Sequence, residues 1–257
     1  MCLTGYETVH FADLTASQLK AWLESHGWGA NYKHLALYTM RAYLKWKYRD
    51  HQALTLRYRR EETPPQRVMT AEQVVKLLAS FDGYSSKGCR DLAMCGVFLD
   101  CGLRSSEICR LQMKYLDMET LSLRVIVKGG RWSRRTFSIY TSAWLTDWFT
   151  FREKLTKCDR VFVGVGGIKP GTQMTSHGLR VVARRWGENI GIKLSPHDFR
   201  RTMASLSTAA GAPDDVTMKG GGWKSPDVFR RYTVGITADH MAKYHPTKTV
   251  MENPTIN

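Results

Sequence analysis

Acidic residues are scarce in this chain: 23 Asp and Glu stand against 38 Lys and Arg in 257 residues, a formal net charge of +15. An imbalance of that size leaves a polyanion as the expected partner, nucleic acid ahead of a membrane surface, because no basic amphipathic anchor stands out. Long apolar runs are missing too. No window approaches the roughly 18 consecutive apolar residues of a membrane span, and Met1 to Phe11 lacks the basic-then-apolar layout of a secretory signal. The expectation is a protein of the cytoplasm with no membrane partner. The six cysteines, Cys2, Cys89, Cys95, Cys101, Cys109 and Cys158, form no C-x-x-C pair and no His-flanked zinc spacing, so they read as reduced core thiols. No Asp/Glu cluster of the kind that holds two catalytic metal ions occurs, and neither a metal nor another cofactor is expected. Internal repeats and low-complexity segments are also absent. What is present is core material: 43% hydrophobic residues, 11% of the chain aromatic, which separates this sequence from a disordered basic tail.

The chain divides most naturally at 59–67, where Arg-Arg-Glu-Glu-Thr-Pro-Pro-Gln-Arg is polar, aperiodic and carries the helix-stopping Pro64-Pro65 pair. This predicts a small helical domain over 1–62, a linker over 63–68 and a larger domain over 69–257. In the small domain, Thr15-Ala-Ser-Gln18 is a capping box opening a helix with Leu19, Trp22 and Leu23, and a second helix follows from about Asn31 with Leu37, Met40 and Leu44 on one face. Arg41, Lys45 and Arg49 recur at i, i+4 and i+8 of that helix, with Tyr38, Tyr43, Trp46 and Tyr48 interleaved. A basic stripe with aromatics suits a helix lying along a phosphate backbone, although taken alone it is more often a solvated face.

In the larger domain, Thr70-Ala-Glu-Gln73 is a second capping box, and Asp91 to Cys101 is apolar almost all round, a central helix closed by Gly102. Leu121 to Val127 and Arg134 to Tyr140 read as two strands around the turn Lys128-Gly129-Gly130-Arg131. Helices are expected over about 142–155, 175–189 and 196–210, with shorter ones from Pro213 and Pro226; the last three each place Pro at the first helical position. The fold class is therefore mainly α with a small antiparallel β-sheet (α+β).

Four segments hold polar residues that packing does not readily explain: Gly102-Leu-Arg104-Ser-Ser-Glu107, the turn lysine Lys128, His197-Asp-Phe-Arg200, and Trp223 followed nine positions later by Tyr232. Each is weak alone. In this order they resemble the tyrosine recombinase (phage integrase) family, whose pattern is Arg, a β-hairpin Lys, His-x-x-Arg, His or Trp, then a nucleophilic Tyr. The surroundings agree: Cys101-Gly-Leu-Arg-Ser-Ser-Glu-Ile resembles the family's Gly-Leu-Arg-x-Ser-Glu box, and Ser195-Pro-His-Asp-Phe-Arg-Arg-Thr resembles its His-x-Leu-Arg-His-Thr box. Two departures stand out: Gly220-Gly-Gly-Trp-Lys-Ser replaces the usual Leu-Gly-His-Ser, a triple glycine that adds backbone freedom, and the N-terminal domain is short for a full clamp.

The resemblance implies the tyrosine recombinase catalytic fold, with the segment over 1–62 as a core-binding (SAM-like) domain, the two domains forming a clamp on double-stranded DNA, and a C-terminal tail from about 236 that docks on a neighbouring subunit. It implies a site-specific recombinase or integrase of a mobile element, working as a homo-tetramer on two DNA sites through a 3′-phosphotyrosyl intermediate and a Holliday junction, with accessory DNA-bending proteins as further partners. Arg104 and Arg200 would clamp the scissile phosphate, as metal-free phosphodiester transfer requires. His197, three residues before Arg200 on one helix face, is the base for Tyr232, Trp223 gives one indole donor, and Glu107 orients Arg104. By resemblance Lys128 is the general acid. Tyr140 and Tyr244 are rival tyrosines, but only Tyr232 stands at the family's distance from Trp223. Arg41, Lys45, Arg49, Arg131, Arg134 and Arg135 are the expected backbone contacts. The same chemistry would serve a chromosome-dimer or telomere resolvase or a topoisomerase-like enzyme; a different class is a non-catalytic DNA-binding protein that retains the fold.

Overall fold

A computed structural model describes residues 10–58, 67–127, 129–166 and 169–233. The chain divides into two compact units, Met1–Pro64 and Pro65–Asn257. The first unit is built on α1 (Ala16–Ser25) and α2 (Ala30–Tyr48). The Thr15 capping box forms as the sequence requires: the Gln18 amide donates to Thr15 Oγ1 at 3.2 Å and the Thr15 amide to Gln18 Oε1 at 2.9 Å. Leu19 and Leu23 of α1 meet Leu37 and Leu44 of α2 in a small core with Leu14 and Ala53. His51 pins the 3-10 turn at Phe11–Asp13 to this unit, its Nε2 donating to the Phe11 carbonyl at 2.9 Å.

The second unit holds α3 (Ala71–Ala79), α4 (Ser86–Cys101), α5 (Ser105–Arg110), the strands β1 (Leu116–Asp117), β2 (Ser122–Val127) and β3 (Arg131–Thr136), then α6 (Ile139–Leu155), α7 (Ser176–Asn189), α8 (Pro196–Ala209), α9 (Asp214–Gly221) and α10 (Pro226–Thr233). Helix α4 is central, as its apolar circumference requires, and packs against α6 and α8. Phe98 of α4 stacks on Phe199 of α8 at 5.2 Å between ring centroids, and Trp186 of α7 meets Phe199 edge-on at 5.6 Å. Gly102 ends α4 in the left-handed region at φ 57°, its amide donating to the Phe98 carbonyl at 3.0 Å.

The sheet is antiparallel with order β1-β2-β3, and its register sets Leu123 opposite Arg135 and Val125 opposite Ser133. Two boundaries differ from the sequence expectation. The second strand ends at Thr136 and Tyr140 already lies in α6, because Asp100 Oδ2 accepts from the Ser138 amide at 2.8 Å and Thr141 Oγ1 at 2.7 Å and fixes the helix start there. Pro213 stands one position outside α9, as its N-cap with ψ 144°, while Pro196 is the first residue of α8 as expected.

An ion pair with both partners buried lies in α4, outside the candidate catalytic residues. Arg90 Nε donates to Asp91 Oδ1 at 2.8 Å, Trp186 Nε1 donates to Asp91 Oδ2 at 2.9 Å, and both charged residues are 3% exposed. Asp91→Ala leaves a buried guanidinium without its counter-charge, so urea unfolding should show a loss of about 3–5 kcal/mol. A loss under about 1 kcal/mol would mean that water reaches Arg90 and that the pair is not structural.

Candidate active site

The end of α4 and the start of α5 place the first arginine. Arg104 is the N-cap of α5, and Glu107, 5% exposed, holds it twice: Oε2 accepts from the Arg104 amide and Oε1 from Nη1, each at 2.8 Å. Glu107 therefore fixes the guanidinium, while a third of the Arg104 side chain stays open to solvent. Arg200, on α8, is 5% exposed and has no carboxylate partner among the described residues. Its Nη1 donates to the carbonyls of Gly102 and Gly221, the latter at 2.6 Å, its Cζ lies 4.1 Å from the Trp223 ring centroid, and Nη2 is buried with no hydrogen-bond partner among the described residues. Burial, then the charge of Arg104, pulls its pKa down to about 10, which leaves it a cation at neutral pH.

Trp223 is 9% exposed and packs on Phe229, with the Tyr232 ring 6.0 Å away on α10. Tyr232 is half-buried, and Arg201 Cζ lies 5.9 Å from its ring centroid. Arg201 is in turn held by Asp198 Oδ1 at 3.1 Å, while Asp198 Oδ2 accepts from the Ser195 amide and hydroxyl, each at 2.7 Å, closing the start of α8. His197 sits in the first turn of α8 and is exposed. Partial burial of the ring, then the positive field of Arg201, Arg200 and Arg104, pushes its pKa below the ordinary 6.5, with Asp198 opposing.

That shift carries a prediction for the free protein. The His197 ring protons should titrate by NMR with a midpoint below 6.5, so the imidazole is neutral at pH 7. Because the unfolded chain takes up a proton that the folded site refuses, this histidine's contribution to stability falls as pH drops below 6.5 and levels off below the folded midpoint. A midpoint above 6.5 would show that Asp198 outweighs the three guanidinium groups.

Five of the six sequence-predicted catalytic residues thus gather where α4, α8, α9 and α10 converge, and Glu107 joins them. Lys128 lies outside the described residues, as do the tail from about 236 and the rival Tyr244. The other rival, Tyr140, is 71% exposed at the start of α6. The six expected backbone contacts are not equivalent. Lys45 and Arg49 are exposed on or just after α2, but Arg41 is half-buried and Nη1 donates to the Leu56 carbonyl at 3.3 Å. Arg131 and Arg134 are exposed on β3, whereas Arg135 is 3% exposed and lines, with Arg104 and Trp223, a cleft of about 730 Å³. Sequence reasoning grouped Arg135 with its neighbours on the turn; counting back in twos from Phe137, which is buried, would have turned it inward.

The sequence model of the phage integrase family matches residues 67–235. The chain belongs to that family. Among curated relatives, the tyrosine recombinase XerC of Chromohalobacter salexigens is 31% identical over 163 residues, which make up 61% of this chain and 52% of that protein. The chain spans about half the length of the curated relatives it matches. Among solved structures, the XerH site-specific recombinase bound to palindromic difH substrate, a post-cleavage complex, matches with a TM-score of 0.72 at 17% identity over 94% of this chain and 73% of that one. The Tn1549 transposon integrase in complex with transposon right end DNA matches with a TM-score of 0.70 at 16% identity, covering 90% and 85%. At such identities the likeness establishes the phage integrase catalytic fold: mostly helical, with one small three-stranded antiparallel sheet.

Proposed function

We propose that this phage integrase family member is a site-specific DNA recombinase that cuts and rejoins duplex DNA through a 3′-phosphotyrosyl intermediate. The observation that carries the reading is the placement of Arg200, buried and without a carboxylate partner among the described residues, 4.1 Å from the ring centroid of Trp223, with the Tyr232 ring 6.0 Å from that indole and the Arg104 charge acting on Arg200. Two clustered guanidinium groups with spare N–H donors suit a phosphodiester, whose charge grows on its non-bridging oxygens as the phosphorus becomes five-coordinate.

In the proposed reaction Tyr232 Oη attacks the phosphorus. The new Oη–P bond forms as the P–O5′ bond breaks, so bond energy is kept for rejoining. His197, whose pKa is held below the ordinary value by partial burial and then by the positive field around it, accepts the phenolic proton. Arg104 and Arg200 hold the non-bridging oxygens, Trp223 Nε1 adds one donor, and Lys128 protonates the leaving 5′-oxygen, a role taken from the family resemblance. Glu107 keeps Arg104 aimed. The N-terminal unit, with Lys45 and Arg49 exposed, serves as the core-binding domain, and Arg131 and Arg134 add backbone contacts. Four copies act on two DNA sites through a Holliday junction, and we read the source as a mobile element; the likeness to a transposon integrase supports this, while the likeness to XerC supports a resolvase instead.

A set of nicked duplexes tiling the DNA that flanks the gene tests the reading, since loss of the short nicked piece traps the covalent step. The protein should become linked to one of them at a 3′ end. No adduct on any duplex, with binding intact, would favour the non-catalytic DNA-binding protein.

A further inference from the structure

Strand β3 turns one charged side chain to the core. Arg135 pairs with Leu123 and lies on the same face as Leu123 and Val125, both buried, where an aliphatic side chain is the ordinary choice. Its Nη1 donates to the Lys219 carbonyl at 3.0 Å, while Nε and Nη2 are buried with no hydrogen-bond partner among the described residues. Glu107, the carboxylate whose charge acts on Arg135, is already bonded to Arg104. A buried cation supplied with so little is costly, and packing alone does not account for it.

The three glycines before Trp223 explain where this guanidinium is seated. A Cβ on Gly222 would lie 2.2 Å from Arg135 Nη2, and Gly222 has φ 73°. A Cβ on Gly221 would lie 1.8 Å from Trp223 Cζ3. A Cβ on Gly220 would meet nothing within 4 Å among the described residues. The triple glycine is thus not a flexible tether: two of its members are vacated for a guanidinium and an indole, and one is sterically free. Arg135 grips the Lys219 carbonyl and Arg200 the Gly221 carbonyl, so the turn into Trp223 is held at two points.

We propose that Arg135 is a positioning residue, which fixes the Lys219–Gly222 turn so that the Trp223 indole stays over Arg200, and which acts on strand transfer through Trp223 without touching DNA. The inference rests on the strand-transfer reading of this site.

Two measurements test it. Arg135→Met keeps the bulk and removes the donors: single-turnover cleavage of a nicked duplex that the wild type cleaves should slow by about 30-fold, with affinity for that duplex within about twofold. Gly222→Ala fills the seat and should slow cleavage similarly, whereas Gly220→Ala should not. In a Trp223→Phe background, Arg135→Met should cost no more than about threefold, because its effect has nowhere else to act. A loss that multiplies with that of Trp223→Phe overturns the proposal. The second measurement needs no chemistry. Hydrogen exchange at the Gly222 and Trp223 amides, bonded to the Lys219 and Met218 carbonyls at 3.2 and 2.8 Å, should rise by about tenfold in Arg135→Met or Gly222→Ala while α4 is unchanged. Unchanged exchange there overturns the clamp. If the wild type forms no adduct on any duplex, the strand-transfer reading fails by itself, and exchange still decides whether Arg135 positions the turn.

Discussion

Tyr232→Phe should form no covalent adduct on a nicked duplex that links to the wild type, while its affinity for that duplex stays within about twofold. The first half follows from chemistry: phenylalanine has no oxygen to attack phosphorus, and no other tyrosine among the described residues lies against Trp223. The second follows from electrostatics. A neutral hydroxyl contributes no charge to a contact governed by phosphate neutralisation, and the +15 of the chain is untouched. Denaturing gels read the adduct and a mobility shift reads the binding. An adduct that survived in Tyr232→Phe and vanished in Tyr140→Phe would move the nucleophile to the start of α6 and break the assignment of the whole cluster.

Arg200→Lys should slow single-turnover cleavage by about 10²- to 10³-fold, the cost of losing one oriented donor pair at a developing oxyanion. Charge is conserved, so a simple loss of positive potential cannot be the cause. An ammonium presents no planar fork, and it cannot hold the Gly102 and Gly221 carbonyls while also offering paired donors to a phosphate. Whichever buried carbonyl is left unpaired should lower stability by about 1–3 kcal/mol, seen in the same protein by denaturant unfolding. A rate within threefold of wild type would show that Arg200 is structural and that Arg104 alone meets the phosphate.

The parts of the fold and site that could be read from the sequence share a physical character: they depend on neighbours close along the chain. Thr15 with Gln18, Thr70 with Gln73, and Gly102 after an apolar run each place a helix end within a few residues, and the structure forms all three. His197 and Arg200 lie one helical turn apart for the same reason. What the sequence hid depends on distant partners. The start of α6 is set by Asp100, a residue 38 positions before Ser138, so the alternation of 134–140 looked like strand to its end. Arg135 looked like one more arginine of a basic turn, because its inward direction comes from pairing with β2 and its seat from a glycine 87 positions later. Gly220, Gly221 and Gly222 are identical in sequence and differ in role only through what approaches them.

Arg200 is held by the last carbonyls of two helices, Gly102 after α4 and Gly221 at the end of α9. Carbonyl ends carry only partial negative charge and cannot leave. A carboxylate in their place would have to be outcompeted by each arriving phosphodiester, and its departure would add a step to every binding event. With dipoles as the cradle, the guanidinium stays oriented and positive with no carboxylate partner among the described residues, so in the proposed reaction a phosphodiester would displace no internal rival.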